Sequence, residues 1–127
     1  MAKLKFDPSL PVIVLDVTLE GKIVKRRIKM AVDTGATYTM IPWEIAEALG
    51  YRPDISVQRV TLITASGIER APLIKIDSLR VCNKEVKNGK VICHDLPQKS
   101  YVDGLLGLNT LKELKVKIDF GEATIEA

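Results

Sequence analysis

The run Met30-Ala31-Val32-Asp33-Thr34-Gly35-Ala36-Thr37-Tyr38-Thr39-Met40-Ile41-Pro42 constrains this chain more than any other stretch. An apolar strand runs into an acid, a hydroxyl and a glycine, then resumes as a second apolar strand. A carboxylate set between two buried strands is costly unless something around it makes use of it. Gly35 permits a tight turn and the close approach of another chain or ligand. Thr34 adds a short hydroxyl and a backbone N–H. Asp33 therefore reads as a working acid.

The flanking chain reads as mostly β with two short helices. Val12 to Leu19 is a β-rich apolar run, closed by Glu20-Gly21-Lys22 as a turn. Ile23 to Val32 returns with Ile23, Lys25, Ile28, Met30 and Val32 facing inward, a spacing that predicts a bulge near Arg26-Arg27. Tyr38 to Ile41 is a short buried strand, and Pro42 is placed at the first helical position. Trp43 to Leu49 has helical apolar spacing, and Gly50 ends the helix. Val57 to Thr64 and Ile68 to Ile76 form a hairpin around Ala65-Ser66-Gly67. Its small polar tip suits either an ordinary surface turn or a mobile flap over a cleft, and local physics favours the turn.

Leu79 to Cys82 and Lys90 to Cys93 read as another hairpin, with Asn88-Gly89 as its turn signal. Asp103 to Leu108 is an apolar strand held between glycines. Asn109 caps a helix over Thr110 to Leu114. Val116 to Phe120 alternates, Gly121 punctuates, and Ala123 to Glu126 is a terminal strand. A length of 127 residues suits a single domain, 1–127.

Composition narrows the function classes. Apolar residues make up 46% and charged residues 28%, the profile of an ordinary globular chain. Nineteen basic against sixteen acidic side chains leave a mild excess of +3. Lys25-Arg26-Arg27 reads as a solvated strand face, so no nucleic-acid partner is expected. Met1 to Pro11 lacks an apolar core and no run reaches spanning length, so neither a secretory leader nor a membrane partner is expected. Two cysteines and one histidine make a metal site or other cofactor unexpected. Cys93-His94-Asp95 would need an irregular backbone to act jointly as a metal corner or nucleophile pair. The default is a cytoplasmic protein with reduced thiols, although Cys82 and Cys93 could face each other across their hairpin.

At the residues Ala31 to Thr37, the Pro42 to Gly50 helix, the Thr64-Ala65-Ser66-Gly67 turn and Leu105-Leu106-Gly107-Leu108-Asn109, the sequence resembles the retroviral-type (retropepsin-like) aspartic proteases. It looks most like their short cellular relatives in bacteria and archaea. The resemblance covers nearly the whole chain in the right order. It implies a mainly β, closed β-barrel of the acid protease fold with one or two short helices, acting on a peptide or protein substrate.

The chemistry that the resemblance implies also sets an oligomeric state. Peptide hydrolysis by carboxylates needs one group as base and one as acid, and two carboxylates in contact share a single proton. One Asp-Thr-Gly per chain cannot fill both roles, so an active enzyme must be a homodimer with one Asp33 from each copy on the two-fold. By resemblance, Thr34 bonds across the axis and Gly35 lets the substrate backbone approach. Ala65, Ser66, Gly67 and Ile68 form the flap. Ala31, Ala36, Thr37, Met40, Leu106 and the Tyr101 to Gly104 loop contact substrate. The chain ends, Lys3 to Phe6 and Ala123 to Glu126, are expected to pair in a sheet shared by the dimer.

Two departures from the family pattern stand out. Thr37 and Leu108 replace an acid and an arginine that form an ion pair in viral members, a joint loss that strands no charge. Ala36 replaces a hydroxyl donor that would favour the ionised acid, which points to a working range of mildly acidic to neutral pH. Two other readings compete with hydrolysis: a silent dimeric peptide-binding module of the same fold, and an unrelated small β-barrel.

Overall fold

The computed structural model describes residues 2–97 and 100–127. In chain order its elements are β1 (Lys3–Lys5), β2 (Val14–Glu20), β3 (Lys25–Val32), β4 (Thr39–Ile41), α1 (Trp43–Ala48), one 3-10 turn (Pro53–Ile55), β5 (Arg59–Thr64), β6 (Gly67–Val81), β7 (Lys84–Cys93), β8 (Gly104–Leu106), α2 (Leu108–Leu114), β9 (Lys117–Asp119) and β10 (Thr124–Glu126). Strands β2, β3, β8, β4, β7 and β6 follow one another around a barrel. Pairing of β2 with β6, from Thr18↔Arg80 to Glu20↔Ser78, closes it. Closure removes the free edges that an open sheet would present. Strand β5 lies outside the ring, attached only to β6 as a ribbon.

Period-two burial explains the walls. On β2, Leu15, Val17 and Leu19 are buried while Asp16 is exposed. Ile28 and Met30 on β3, and Ile76, Leu79 and Val81 on β6, complete the same interior. Strand β8 enters between β3 and β4, parallel to β3 (Met30↔Gly104 to Val32↔Leu106) and antiparallel to β4 at Met40↔Leu105. Helix α1 closes with the two bonds of a Schellman cap: Gly50 N–H to Glu47 O at 3.0 Å and Tyr51 N–H to Ala46 O at 3.1 Å. Gly50 has φ +97°, where a side chain would be strained. Pro42 sits one position earlier than expected, as the N-cap.

Several sequence expectations give way to longer-range pairing. The β2–β3 hairpin is regular from Val14↔Ala31 to Glu20↔Lys25, with no bulge at Arg26-Arg27. Lys25, Arg26 and Arg27 are all exposed without a bulge to turn them outward. Ile23 is 77% exposed, because the turn folds onto the end of α1, where Lys22 N–H donates to Leu49 O at 2.8 Å.

The β6–β7 turn lies at Cys82-Asn83, between Val81↔Lys84, and Asn88-Gly89 falls inside β7. The register that buries Ile76, Leu79, Val86 and Val91 outweighs the local Asn-Gly signal. Cys82 takes φ 57° in the turn, and Asn88 takes φ 55° as a kink. The thiols of Cys82 and Cys93 are free and sit at opposite ends of β7, so the two residues do not face each other.

Asn109 lies within the first turn of α2, and Gly107 occupies the N-cap position. The chain ends pair with each other in one copy: β1 joins β10 from Lys3↔Glu126 to Lys5↔Thr124, and β10 joins β9. Leu4, Ile118 and Ile125 turn this three-stranded sheet's apolar face onto the barrel core. That face is buried within the copy.

The kink at Asn88 interrupts the ladder opposite Asp77, between Ile76↔Gly89 and Ser78↔Lys87. The buried Tyr51 fills the gap. Its hydroxyl accepts from Asp77 N–H at 2.7 Å and donates to Asp77 Oδ1 at 2.6 Å. Burial, then the Asp77 carboxylate, pushes the Tyr51 hydroxyl up to about 12. Tyr51→Phe should therefore leave a backbone donor and an acid short of a partner and lower stability by about 1–3 kcal/mol, read as a fall in the denaturant midpoint at unchanged m-value.

Candidate active site

Asp33 follows the last residue of β3 and is half-buried, while Thr34 and Gly35 are exposed. Backbone bonds fix the acid from both sides of the strand end. Val32 N–H donates to Ile13 O at 2.8 Å, and Asp33 N–H donates to Leu106 O at 2.9 Å. The turn closes through Ala36 N–H to Asp33 O at 3.2 Å. The carboxylate is held by the turn itself, with Oδ1 accepting from Gly35 N–H at 2.9 Å. A Cβ on Gly35 would stand 3.3 Å from that oxygen, so the bare glycine lets the turn wrap closely around the acid.

The loop beyond the acid is bolted to the start of α2. Leu108 N–H donates to Ala36 O at 2.8 Å, and Asn109 N–H donates to Thr37 O at 3.2 Å. In return Thr39 N–H donates to Asn109 Oδ1 at 2.9 Å, and Asn109 Nδ2 donates to Lys90 O at 2.7 Å. Thr39 is wholly buried. Its hydroxyl accepts from Gly107 N–H at 3.0 Å and meets the Thr110 hydroxyl at 2.5 Å. These buried polar groups are satisfied, which makes the cluster a rigid support. Thr39, Gly107, Asn109 and Thr110 were not legible as a unit. Their one signal is a threonine inside an apolar strand together with Asn-Thr at a helix start.

A cleft of about 520 Å³ opens beside this loop. Gly35, Ala36, Thr37, Tyr38 and Met40 form one side, Val60 to Ile63 of β5 form the other, and Ile92 completes the lining. Ala36, Thr37 and Met40 thus come together as the sequence suggested, while Tyr38, the β5 residues and Ile92 were missed. They belong to strands whose facing no local pattern reveals. The hairpin tip, Ala65 to Ile68, stands clear of this lining, with Ile68 76% exposed and Gly67 at φ +123°.

Two expected substrate contacts move into the core. Ala31 is 3% and Leu106 0% exposed, so both lie in the core beneath the acid. Alternation on β8 makes Leu105, half-buried and opposite Met40, the residue that faces away from the core. The Tyr101 to Gly104 loop does not line this cleft. Val102 and Asp103 line a separate groove with Trp43, Glu44 and Asp95. Asp103 is anchored there by bonds to the Lys29 backbone, its N–H donating to Lys29 O at 2.7 Å and its Oδ2 accepting Lys29 N–H at 3.0 Å.

Cys93 is 1% exposed, which argues against a nucleophilic role. Burial, with smaller effects from Asp95 and Glu47, pushes its thiol up to about 12. A reactive cysteine needs the opposite displacement. Among the described residues no group of three or more His, Cys, Asp or Glu side chains could hold a metal ion. None of the helices is long and apolar enough to cross a membrane.

The model of the gag-polyprotein putative aspartyl protease family matches residues 19–113. The chain belongs to that family. The matched span contains the Asp33 turn, the β5–β6 ribbon and the Gly107 support, so membership rests on the site as well as the barrel. Among solved structures, the chain is similar to a retropepsin-like aspartic protease from Rickettsia conorii, at 25% identity and a TM-score of 0.72, over 98% of this chain and 86% of that one. No curated protein matches. The mainly β closed barrel with two helices is the retropepsin-like fold.

At Gly107 there is no room for a side chain. A Cβ there would lie 2.3 Å from the carbonyl carbon of Tyr38 and 2.7 Å from Thr39 N, both backbone atoms. Gly107→Ala should cost about 3 kcal/mol, seen as a lower melting temperature, with loss of any activity that depends on the Asp33 loop. Cys93 in the native protein should resist alkylation at neutral pH and react once denaturant unfolds the chain, as mass spectrometry of the labelled protein will record.

Proposed function

We propose that this aspartic protease family member is an endopeptidase that cleaves exposed polypeptide segments as a homodimer, each copy giving one Asp33. The observation that carries the reading is the presentation of the Asp-Thr-Gly turn. Asp33 is held by Gly35 N–H and Leu106 O, while Thr34 and Gly35 stay exposed at the rim of the loop. An exposed Thr34 is available to bond its counterpart across a two-fold axis. The outer edges of the terminal sheet, β1 and β9, have no further strand partner among the described residues and leave room for a second copy.

In the mechanism the two Asp33 carboxylates share one proton and hold a water between them. The ionised carboxylate takes a proton from the water as its oxygen bonds to the carbonyl carbon. The protonated one gives its proton to the carbonyl oxygen, forming a tetrahedral diol. On collapse the C–N bond breaks. The carboxyl that received the water's proton passes it to the departing nitrogen. A diol hydroxyl returns its proton to the other carboxylate as the product carboxyl forms, and the dyad recovers its single proton.

The β5–β6 ribbon would close over bound peptide and exclude water, with Ala65 to Ile68 at its tip. Ala36, Thr37 and Met40 would receive substrate in the cleft they share with Val60 to Ile63.

Incubation with unstructured polypeptide, comparing wild type with Asp33→Asn, tests this. The variant keeps the size of the side chain and loses the ionisable dyad. Cleavage should fall by about 10³–10⁴-fold while sedimentation reports an unchanged dimer. Turnover per chain should also decline on dilution as the dimer dissociates. Equal cleavage by both proteins, or a wild type that stays monomeric at high concentration, removes the reading.

A further inference from the structure

Strand β6 parts from the barrel after Leu73↔Ile92. From there to Gly67 its backbone ladder runs with β5, as a two-stranded ribbon. Glu69 lies within that ribbon, opposite Leu62, and Leu62 lines the cleft. On the barrel side, His94 follows the last residue of β7, and its N–H is held by Ile41 O at 3.0 Å. The imidazole thus stands on fixed backbone while Glu69 stands on the ribbon. His94 Nε2 and Glu69 Oε2 meet at 2.5 Å, beyond the point where the β6–β7 ladder has ended.

The other ring nitrogen decides the protonation state this contact needs. His94 Nδ1 lies 3.0 Å from Asp95 O. A carbonyl oxygen only accepts, and so does an ionised carboxylate. A neutral imidazole has one N–H and can satisfy one of the two. The imidazolium satisfies both. Acidic groups stand around it. Glu69 faces the ring from β6, Asp95 follows it in the chain with Oδ1 accepting from Trp43 N–H at 3.2 Å, and the charge of Glu47 on α1 reaches the neighbouring Cys93. Arg70, next to Glu69, is exposed on the ribbon.

We propose that His94 and Glu69 are positioning residues that form a proton-dependent strap, fixing where the β5–β6 ribbon crosses the cleft. With the ring protonated, the ribbon is tied to the barrel at the level of Leu62. When the ring gives up its proton, one of its two bonds is lost and the tie to Glu69 weakens. His94 is the sole histidine of the chain, so the strap is its only imidazole switch. The inference rests on the ribbon acting as a flap, and it stands apart from the question of peptide hydrolysis.

A pH titration by NMR, from mildly acidic to mildly alkaline, tests the strap without any need for turnover. In wild type, the backbone amides of Gly67 to Arg70 should shift together with the His94 ring resonances. In Glu69→Gln the amide side chain can accept from or donate to the ring in either state. The ring should still titrate there, and the flap amides should no longer follow it. In His94→Gln the flap amides should be flat across the same range. Flap amides that ignore the ring in wild type, or that follow it equally in Glu69→Gln, overturn the proposal. With a peptide substrate, KM should rise severalfold in wild type as the ring deprotonates, and the rise should be absent in Glu69→Gln. A KM rise equal in both proteins overturns it as well.

Discussion

The structure depends on the entry of β8 between β3 and β4. That short strand gives Leu106 O to Asp33 N–H and, through Gly107, a backbone donor to the buried Thr39 hydroxyl. The acid is thereby fixed at the end of one strand and the loop beyond it at the start of a helix. A carboxylate half out of water needs such support, because its own desolvation gains nothing for the fold. Gly104 and Gly107 make the entry sterically possible. Added Cβ atoms at these two positions would fall 2.7 Å from Met40 O and 2.3 Å from the Tyr38 carbonyl carbon.

A firmly held acid and a ribbon outside the wall are separate features of one barrel. The Thr39–Gly107–Thr110 cluster is buried and fully paired, while β5 lies outside the closed ring and follows β6 away from the wall. The cleft forms where these two regimes meet, with loop residues on one side and ribbon residues on the other. Under the proposed function, one such acid per chain supplies half of a dyad. The fold thus presents the Asp33 turn at its surface and buries the parts that hold the turn in place.

Much of this was legible residue by residue. The acid's position, the two strands around it, the helix ended by Gly50 and the hairpin tipped by Ala65-Ser66-Gly67 all follow from local turn and period signals. The misreadings share one cause. Asn88-Gly89 carries the stronger local turn signal, yet the turn falls at Cys82-Asn83 because the other register would expose the apolar faces of β6 and β7. Asn109 has the residue type of a cap, but its amide serves β4 and β7. Leu106 and Leu105 are identical in type and adjacent, and only pairing with β3 and β4 tells which one is buried.

The sequence by itself determined where the acid stands, the order of strands and helices, and the membership of a family built around one Asp-Thr-Gly. Those features are encoded within a few residues of each other, by backbone preference and alternating polarity. The tertiary structure alone decided that the chain ends pair with each other, that Ala31 and Leu106 lie beneath the site, and that His94 meets Glu69 of the ribbon. Each of these joins residues far apart in the chain. Which partner a strand or side chain finds is set by the shared burial of many apolar groups, and no short stretch carries that information.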